Sequence, residues 1–309
     1  MYTYRFSIFT ATYNRAKYLT RLYNSILSQD YNDFEWIIID DGSTDDTKML
    51  CESFINQKKI NIIYKYKKNG GKHTAWREAT KIFKGQYIIA IDSDDFLTSD
   101  ALKIFDSNWK KLENTDNYEM FWEIKGQCKD QFGNKIGGKL PYEIFDCNDF
   151  DIVYKYFCNW EMEGCRKVEV LKNEAKVPDN FFLEEKCNNY PESIRWFSAS
   201  LKFQTRFISD IVRIYNVGTE DSFVESKKGK QRNIKHTYNT LIGSIEIINK
   251  FGDKIFKINL FKFIKEICIC IYQSNILNIN PLIYILNKKA KFLIVVLWIP
   301  ISIIYLIRK

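Results

Sequence analysis

Histidine and metal-type cysteine spacing are nearly missing from this sequence. Two histidines occur in 309 residues, and the eight cysteines are scattered, the one close pair being Cys268 and Cys270 within an apolar run. Without zinc-type spacing, the thiols are expected to be reduced and mostly buried. The opening residues, MYTYRFSIFTATYNR, lack the cationic region, apolar run and cleavage site of a secretory leader, which predicts a body that stays in the cytoplasm. No internal repeat and no low-complexity tract occurs, so the chain does not read as a solenoid or a linker. What is there is the composition of an ordered globule. The hydrophobic share of 46% and aromatic share of 16% exclude a disordered chain. The length suffices for one large core or two smaller ones with a ligand cleft.

Charge divides the chain. From residue 226 onward 15 Lys and Arg face three acids, whereas the preceding residues are mildly acidic within a net charge of +8. Such a basic stretch suits a solvated helical surface, an anionic membrane or a nucleic acid. The segment that follows favours the membrane over nucleic acid. Residues 292–307, FLIVVLWIPISIIYLI, carry no charge and are bracketed by Lys288, Lys289 and Lys291 before and by Arg308 and Lys309 after. Sixteen residues interrupted by Pro300 fall short of the about 20 that span a bilayer. The expectation is a membrane-embedded or interfacial anchor, with a packed terminal helix as the alternative.

Periodicity places the elements. Residues 4–10, 34–39, 61–66 and 87–91 are Ile- and aromatic-rich runs that predict strands. Between them Leu19, Leu22, Tyr23 and Ile26, then Leu50 and Phe54, then Ala75, Ala79, Ile82 and Phe83 mark the apolar faces of helices. Strands and helices in alternation, with short connections, predict a mainly parallel central sheet flanked by helices. Residues 119–124 and 127–136, around the turn Phe132-Gly133-Asn134, predict a hairpin, and residues 233–287 a basic helical appendage. The division expected is 1–110, 111–225 and 226–309.

Each polar cluster follows a strand, and in open α/β sheets ligands bind beyond the carboxyl ends of the strands. Asp92-Ser93-Asp94-Asp95 sets carboxylates on alternate residues, a pattern suited to Mn²⁺ or Mg²⁺ shared with a diphosphate. It also suits an acidic turn before a helix. Asp40-Asp41-Gly42-Ser43 is a turn former, or a carboxylate placed to accept from a base or a ribose. Asn69-Gly70-Gly71-Lys72-His73 offers glycines for close backbone approach and a lysine for phosphate charge. It matches neither the Walker A spacing nor GxGxxG.

The ordered set FTATYNR, SILSQDYNDFEWIIIDDGSTDDT, NGGKHTA and YIIAIDSDD resembles the family 2 glycosyltransferases of the GT-A fold. The likeness runs over about the first 100 residues and more faintly to Asn216. It implies an α/β GT-A architecture: a Rossmann-like nucleotide half, a mixed acceptor half and, here, a C-terminal helical extension. It also implies inverting transfer from a nucleoside-diphosphate sugar, often a uridine one, to a glycan or lipid-linked acceptor at the inner face of the cell membrane. By resemblance Thr12 and Tyr13 line the nucleotide, Asp41 binds the base, and Asn69, Lys72, His73 and Asp92 complete the donor site. Asp94 and Asp95 would then hold the metal. The acceptor-side base falls at Glu185, with Glu184 and Glu192 as substitutes, although Cys187 stands where the family has an aromatic residue and the spacing to Trp196 is longer. A sugar-nucleotide nucleotidyltransferase would need a glycine-rich basic loop after the first strand, and Ala11-Thr12-Tyr13-Asn14-Arg15 has no glycine. An inactive binding module would have lost the carboxylates that this sequence keeps.

Overall fold

The computed structural model describes residues 2–156, 161–218 and 234–308. The boundary expected at 225/226 lies outside them. The chain opens as β1 (Tyr4–Thr12), α1 (Ala16–Leu27), β2 (Phe34–Asp40), α2 (Thr47–Asn56), β3 (Asn61–Tyr66), α3 (Lys72–Thr80) and β4 (Gly85–Ala90). There follow β5 (Phe96–Leu97), α4 (Ala101–Glu113), β6 (Phe121–Asp130), β7 (Lys135–Ile136), β8 (Ile144–Cys147) and α5 (Asp149–Tyr154). After these come β9 (Met162–Lys167), α6 (Val168–Asn173), α7 (Glu192–Ser200) and β10 (Gln204–Tyr215), then the long helices α8 (Ile234–Ile258), α9 (Leu260–Leu277) and α10 (Lys288–Arg308).

One sheet of ten strands runs β3-β2-β1-β4-β9-β6-β10-β5, with β7 paired to β6 and β8 to β10 off this path. The first four strands are mutually parallel. β9 runs antiparallel to both β4 and β6, which restores the parallel direction in β6 and β10. The run FEWIIID of β2 is buried throughout, as an inner strand covered on both faces must be. The hairpin expected over 119–136 is instead one ten-residue strand, β6, with the short return β7. The turn falls at Gly133, whose φ of +92° suits glycine. The charges of β6 hid its continuity: Glu123 and Lys125 look like surface residues but are paired in the interior with Arg166 and Asp149.

Two cores flank the sheet. One joins Phe6, Ile8 and Ile38 to Leu22, Ile26, Phe54, Phe105 and Trp109 from α1, α2 and α4. The other joins Phe9, Ile37 and Ile39 to Trp76, Ile194 and Phe197, and continues without a break through Ile245, Phe263 and Ile271 to Ile294 and Ile301. The C-terminal helices therefore share a core with the sheet. α10 lies along α9, with Asn275 Nδ2 donating to Ser302 Oγ at 3.0 Å. Among the described residues no helix is long and apolar enough to cross a membrane.

Because Ile294 is fully buried in this shared core, Ile294→Ala should cost about 2–5 kcal/mol of unfolding free energy. The loss should appear in one cooperative denaturant transition. A separate early transition with an unchanged main one would show that α10 folds apart from the body.

Candidate functional site

The loops after β1, β2, β3 and β4 meet at one end of the sheet. Asp41 N–H donates to Thr12 O at 2.8 Å, and Lys67 N–H to Asp40 O at 2.9 Å, joining three strand ends. Asn14 Oδ1 accepts from Thr44 N–H at 2.7 Å. Both aspartates of the first acidic pair are engaged by the chain. Asp40 accepts from Ser43 N–H at 2.8 Å and Tyr64 O–H at 2.7 Å. Asp41 accepts from Gly70 N–H at 3.0 Å and Gly71 N–H at 2.7 Å, and forms an ion pair with Lys67. Asn69 Nδ2 donates to Asp41 O at 2.8 Å. Asp41 thus shapes the 69–71 loop from below. Gly71 has φ +91°, and a Cβ there would lie 2.1 Å from Asn188 O, so no larger residue fits.

The start of α3 separates two neighbours that sequence reasoning grouped. Successive helical residues point about 100° apart. Lys72 reaches into the crevice, whereas His73 is 1% exposed beneath it. His73 packs edge-on against Phe181, its Nε2 3.4 Å from Glu184 Oε1. Burial, then the neighbouring Arg77, push its pKa down. His73, expected at the nucleotide, is placed behind the loop and packed against Phe181.

Lys72 Nζ lies 2.8 Å from Asp92 Oδ1 and 3.2 Å from Glu192 Oε1. Burial opposes its charge, but Asp92 and Glu192 outweigh that and hold the ammonium above the ordinary lysine range. Lys72 in turn keeps Asp92 below the ordinary carboxylate range. Glu192, the first residue of α7, also accepts from Trp76 Nε1–H at 3.0 Å. Burial raises the Glu192 pKa, yet Lys72, with help from Arg195 and Trp76, leaves it lowered. Glu185 sits elsewhere. It is exposed on the single turn Glu184–Lys186, while its neighbour Glu184 pairs with Arg77. Of the three glutamates weighed for the acceptor-side base, Glu192 is the one joined to the strand-end carboxylates. Sequence reasoning placed the base at Glu185 from its Glu-Lys context before the Trp196 helix, against a spacing to Trp196 longer than the family's. The usable signal was position: Glu192 opens a helix.

The carboxylates after β4 divide in the same way. Asp94 Oδ2 is 3.1 Å from Arg15 Nη1, and Arg21 donates to the Asp94 carbonyl at 2.8 Å. Asp95 turns inward, 3% exposed, 3.2 Å from Arg213 Nε and accepting from Asn216 N–H at 2.9 Å. Arg213 also pairs with Glu163 at 3.0 Å and Glu161 at 2.6 Å. Neither Arg15 nor Arg213 was distinguishable by sequence from any other surface arginine. Among the described residues no group of three or more His, Cys, Asp or Glu could hold a metal alone. Mn²⁺ and Mg²⁺ need only one or two carboxylates when phosphate oxygens supply the rest. Asp92 and Asp94 fit that half-sphere as hard oxygen donors. Asp95, expected as a second ligand, is turned inward with its oxygens met by Arg213 and Asn216. Thr12, which ends β1, is 3% exposed with its hydroxyl unpartnered, and Tyr13 beside it is 49% exposed. Tyr13 is open at the crevice rim, whereas Thr12 lies beneath it.

A mainly parallel sheet in the order 3-2-1-4, with acidic loops at its carboxyl end and a mixed second half, defines the GT-A class of nucleotide-sugar folds. Residues 7–118, about a third of the chain, match the model described as Glycosyl transferase family 2. Its first 100 or so residues are 34% identical over 101 residues to poly(ribitol-phosphate) beta-N-acetylglucosaminyltransferase TarS of Staphylococcus aureus. That match covers 32% of this chain and 18% of TarS, so the chain spans about a fifth of that relative's length. A longer match, 25% identical over 279 residues, covers 87% of this chain and 81% of a Campylobacter jejuni GalNAc(5)-diNAcBac-PP-undecaprenol beta-1,3-glucosyltransferase. Among solved structures, S. aureus TarS 1–349 in complex with UDP is similar in fold (TM-score 0.57, 20% identity, 99% of this chain and 92% of that one). So is the mannosyltransferase PcManGT of Pyrobaculum calidifontis in complex with GDP-Man and Mn²⁺ (TM-score 0.50, 14% identity, 100% and 89%).

Lys72→Met leaves two carboxylates facing each other without a cation. Because both have lowered pKa values in the fold, their stabilisation is present above the ordinary carboxylate range and is lost as pH falls through it. The variant should therefore be less stable than wild type by about 1 kcal/mol at neutral pH, the modest figure that suits a partly exposed cluster. The gap should close as pH drops below about 4. Urea titrations across that range measure it, and a pH-independent gap would mean that packing, not charge, is what Lys72 contributes.

Proposed function

We propose that this chain transfers a glycosyl group from a nucleoside-diphosphate sugar, a uridine one, to a hydroxyl of a glycan or lipid-linked acceptor, with inversion at the anomeric carbon. The observation that carries the reading is Glu192: an ionised carboxylate on the acceptor-half helix α7, held by Lys72 one cation's width from Asp92. The names of the relatives support the substrate classes, one acting on poly(ribitol-phosphate) and one on an undecaprenol-linked oligosaccharide.

In this reading Thr12, Tyr13 and the 69–71 loop that Asp41 shapes receive the nucleoside, and Lys72 and Arg15 meet the diphosphate charge. Asp92 and Asp94 would hold Mn²⁺ or Mg²⁺, which when bound neutralises the diphosphate leaving group. Glu192 takes the proton of the acceptor hydroxyl as that oxygen bonds to the anomeric carbon and the bond to the diphosphate breaks. The base must stand on the face opposite the leaving group. A depressed pKa keeps Glu192 ionised throughout the neutral range, at the cost of weaker basicity that departure of Lys72 towards the diphosphate would restore. The body is placed at the inner face of the cell membrane, with residues 292–307 as a contact.

Donor binding is tested by thermal unfolding with UDP and Mn²⁺. A ligand at a hundredfold excess over its dissociation constant adds about 2.7 kcal/mol, and no shift with any nucleoside diphosphate would remove the donor assignment. The base is tested with Glu192→Gln, Glu184→Gln and Glu185→Gln and a panel of nucleotide sugars. Glu192→Gln should keep UDP affinity and lose roughly 10²–10⁴-fold in turnover, while Glu185→Gln turns over like wild type. The reverse pattern would return the base to Glu185.

A further inference from the structure

The corner between α8 and α9 breaks the usual rule for a surface. Phe261 is 84% exposed, with Ile258 and Leu260 exposed beside it. Asn259 caps α9 by accepting from Lys262 N–H at 3.0 Å, so the apolar residues sit on an ordered turn rather than a frayed end. The start of α10 is pinned to the same edge. Lys289 Nζ lies 3.1 Å from Asp253 Oδ1 and 4.6 Å from the centroid of the Phe256 ring, both in the last turns of α8. Phe292, 68% exposed, follows Lys289 by about one helical turn. Lys257, Lys265, Lys288 and Lys291 are exposed along this edge, and the acid among them, Asp253, is already paired with Lys289.

We infer that this edge, Ile258, Leu260 and Phe261 with the first turn of α10, inserts into the headgroup region of an anionic lipid leaflet. Exposed aromatic and aliphatic side chains ringed by lysines match an interface that is apolar beneath and negative at its surface. A protein partner would need an acidic, concave counterpart, whereas a leaflet supplies both features without shape matching. The contact differs from a tail anchor. α10 is held to the body by Ile294 and Ile301 and by the Asn275–Ser302 hydrogen bond, so the membrane meets a rigid corner rather than a free segment. Asn259 Nδ2 also reaches Tyr154 O at 3.4 Å, which couples the corner to α5 in the acceptor half.

The test floats the full chain with phosphatidylcholine vesicles, with and without phosphatidylglycerol. Wild type should bind the anionic vesicles, less so at high salt. The pair Leu260→Asp and Phe261→Asp should lower partition by about tenfold or more. The set Lys257→Gln, Lys265→Gln and Lys291→Gln should remove the preference for phosphatidylglycerol. Unfolding midpoints and UDP binding, read on the same samples, should match wild type, which separates this inference from the transferase reading. Vesicle binding that survives the aspartate pair overturns it. So does wild type that ignores vesicles but self-associates through an interface the aspartate pair dissolves.

Discussion

The Lys72 ammonium holds the site together. Among the described residues it joins the strand-end carboxylate Asp92 to the helix-end carboxylate Glu192, one following β4 and the other opening α7. Without it two partly buried negative charges would repel across the crevice at low local dielectric. With it, each is kept ionised. The same cation has a second claim on it, because a diphosphate offers more charge than either carboxylate. The interaction that assembles the site is thus one that a bound donor would redistribute, away from Glu192. The strength of the triad is limited by its partial exposure, which suits a contact that must be exchanged rather than a permanent brace.

The permanent brace is Arg213. Its guanidinium is buried among Asp95, Glu163 and Glu161, contributed by the loop after β4 and by β9 and the residue preceding it. One cation against three acids leaves the cluster negative, and burial pushes Asp95 up to about 7 despite Arg213. Asp95 therefore gives the loop its direction. With Asp95 tied inward and Arg15 drawing Asp94 outward, the alternation of the Asp-Ser-Asp-Asp motif is resolved into one buried anchor and two crevice-facing carboxylates. A buried pair of this kind stabilises little in net terms but is costly to break, so it fixes geometry more than it adds stability.

The succession of elements and the position of the loops were legible in the sequence, because both depend on local signals. A run such as Trp36-Ile37-Ile38-Ile39 ended by two aspartates cannot continue as a buried strand, and glycines at 42 and 71 mark turns with positive φ. The order of the first four elements follows from these. Roles were less legible. Lys72 and His73 are adjacent in sequence and opposite in space, and only the helix that begins at Lys72 tells them apart. Asp94 and Asp95 differ only in which arginine each meets, and Arg213 lies more than a hundred residues away. Glu185 and Glu192 differ by the path of a loop whose length departs from the family pattern. In each case the residue type was readable from sequence, whereas long-range partners decide which of these side chains face the crevice.

The C-terminal helices bear on this in a way that composition could not reveal. Their basic, apolar character suggested an appendage, yet α8 touches the two segments that frame the triad. Asn239 Nδ2 donates to Asn188 Oδ1 at 2.6 Å, and Lys72 N–H donates to Asn188 O at 3.1 Å. Tyr190 O–H donates to Glu246 at 3.1 Å, and Gly243 leaves room for Pro191, whose ring a Cβ would meet at 3.2 Å. Asn188, Tyr190 and Pro191 are the residues that lead into Glu192. The N-terminus of α3 and the N-terminus of α7 are therefore both fastened to α8, and the Lys72–Glu192 distance is set as much by that helix as by the sheet. A helix that fixes the acceptor-side carboxylate and also ends in an exposed apolar corner links the placement of the proposed base to the surface on which a lipid-linked acceptor would be presented.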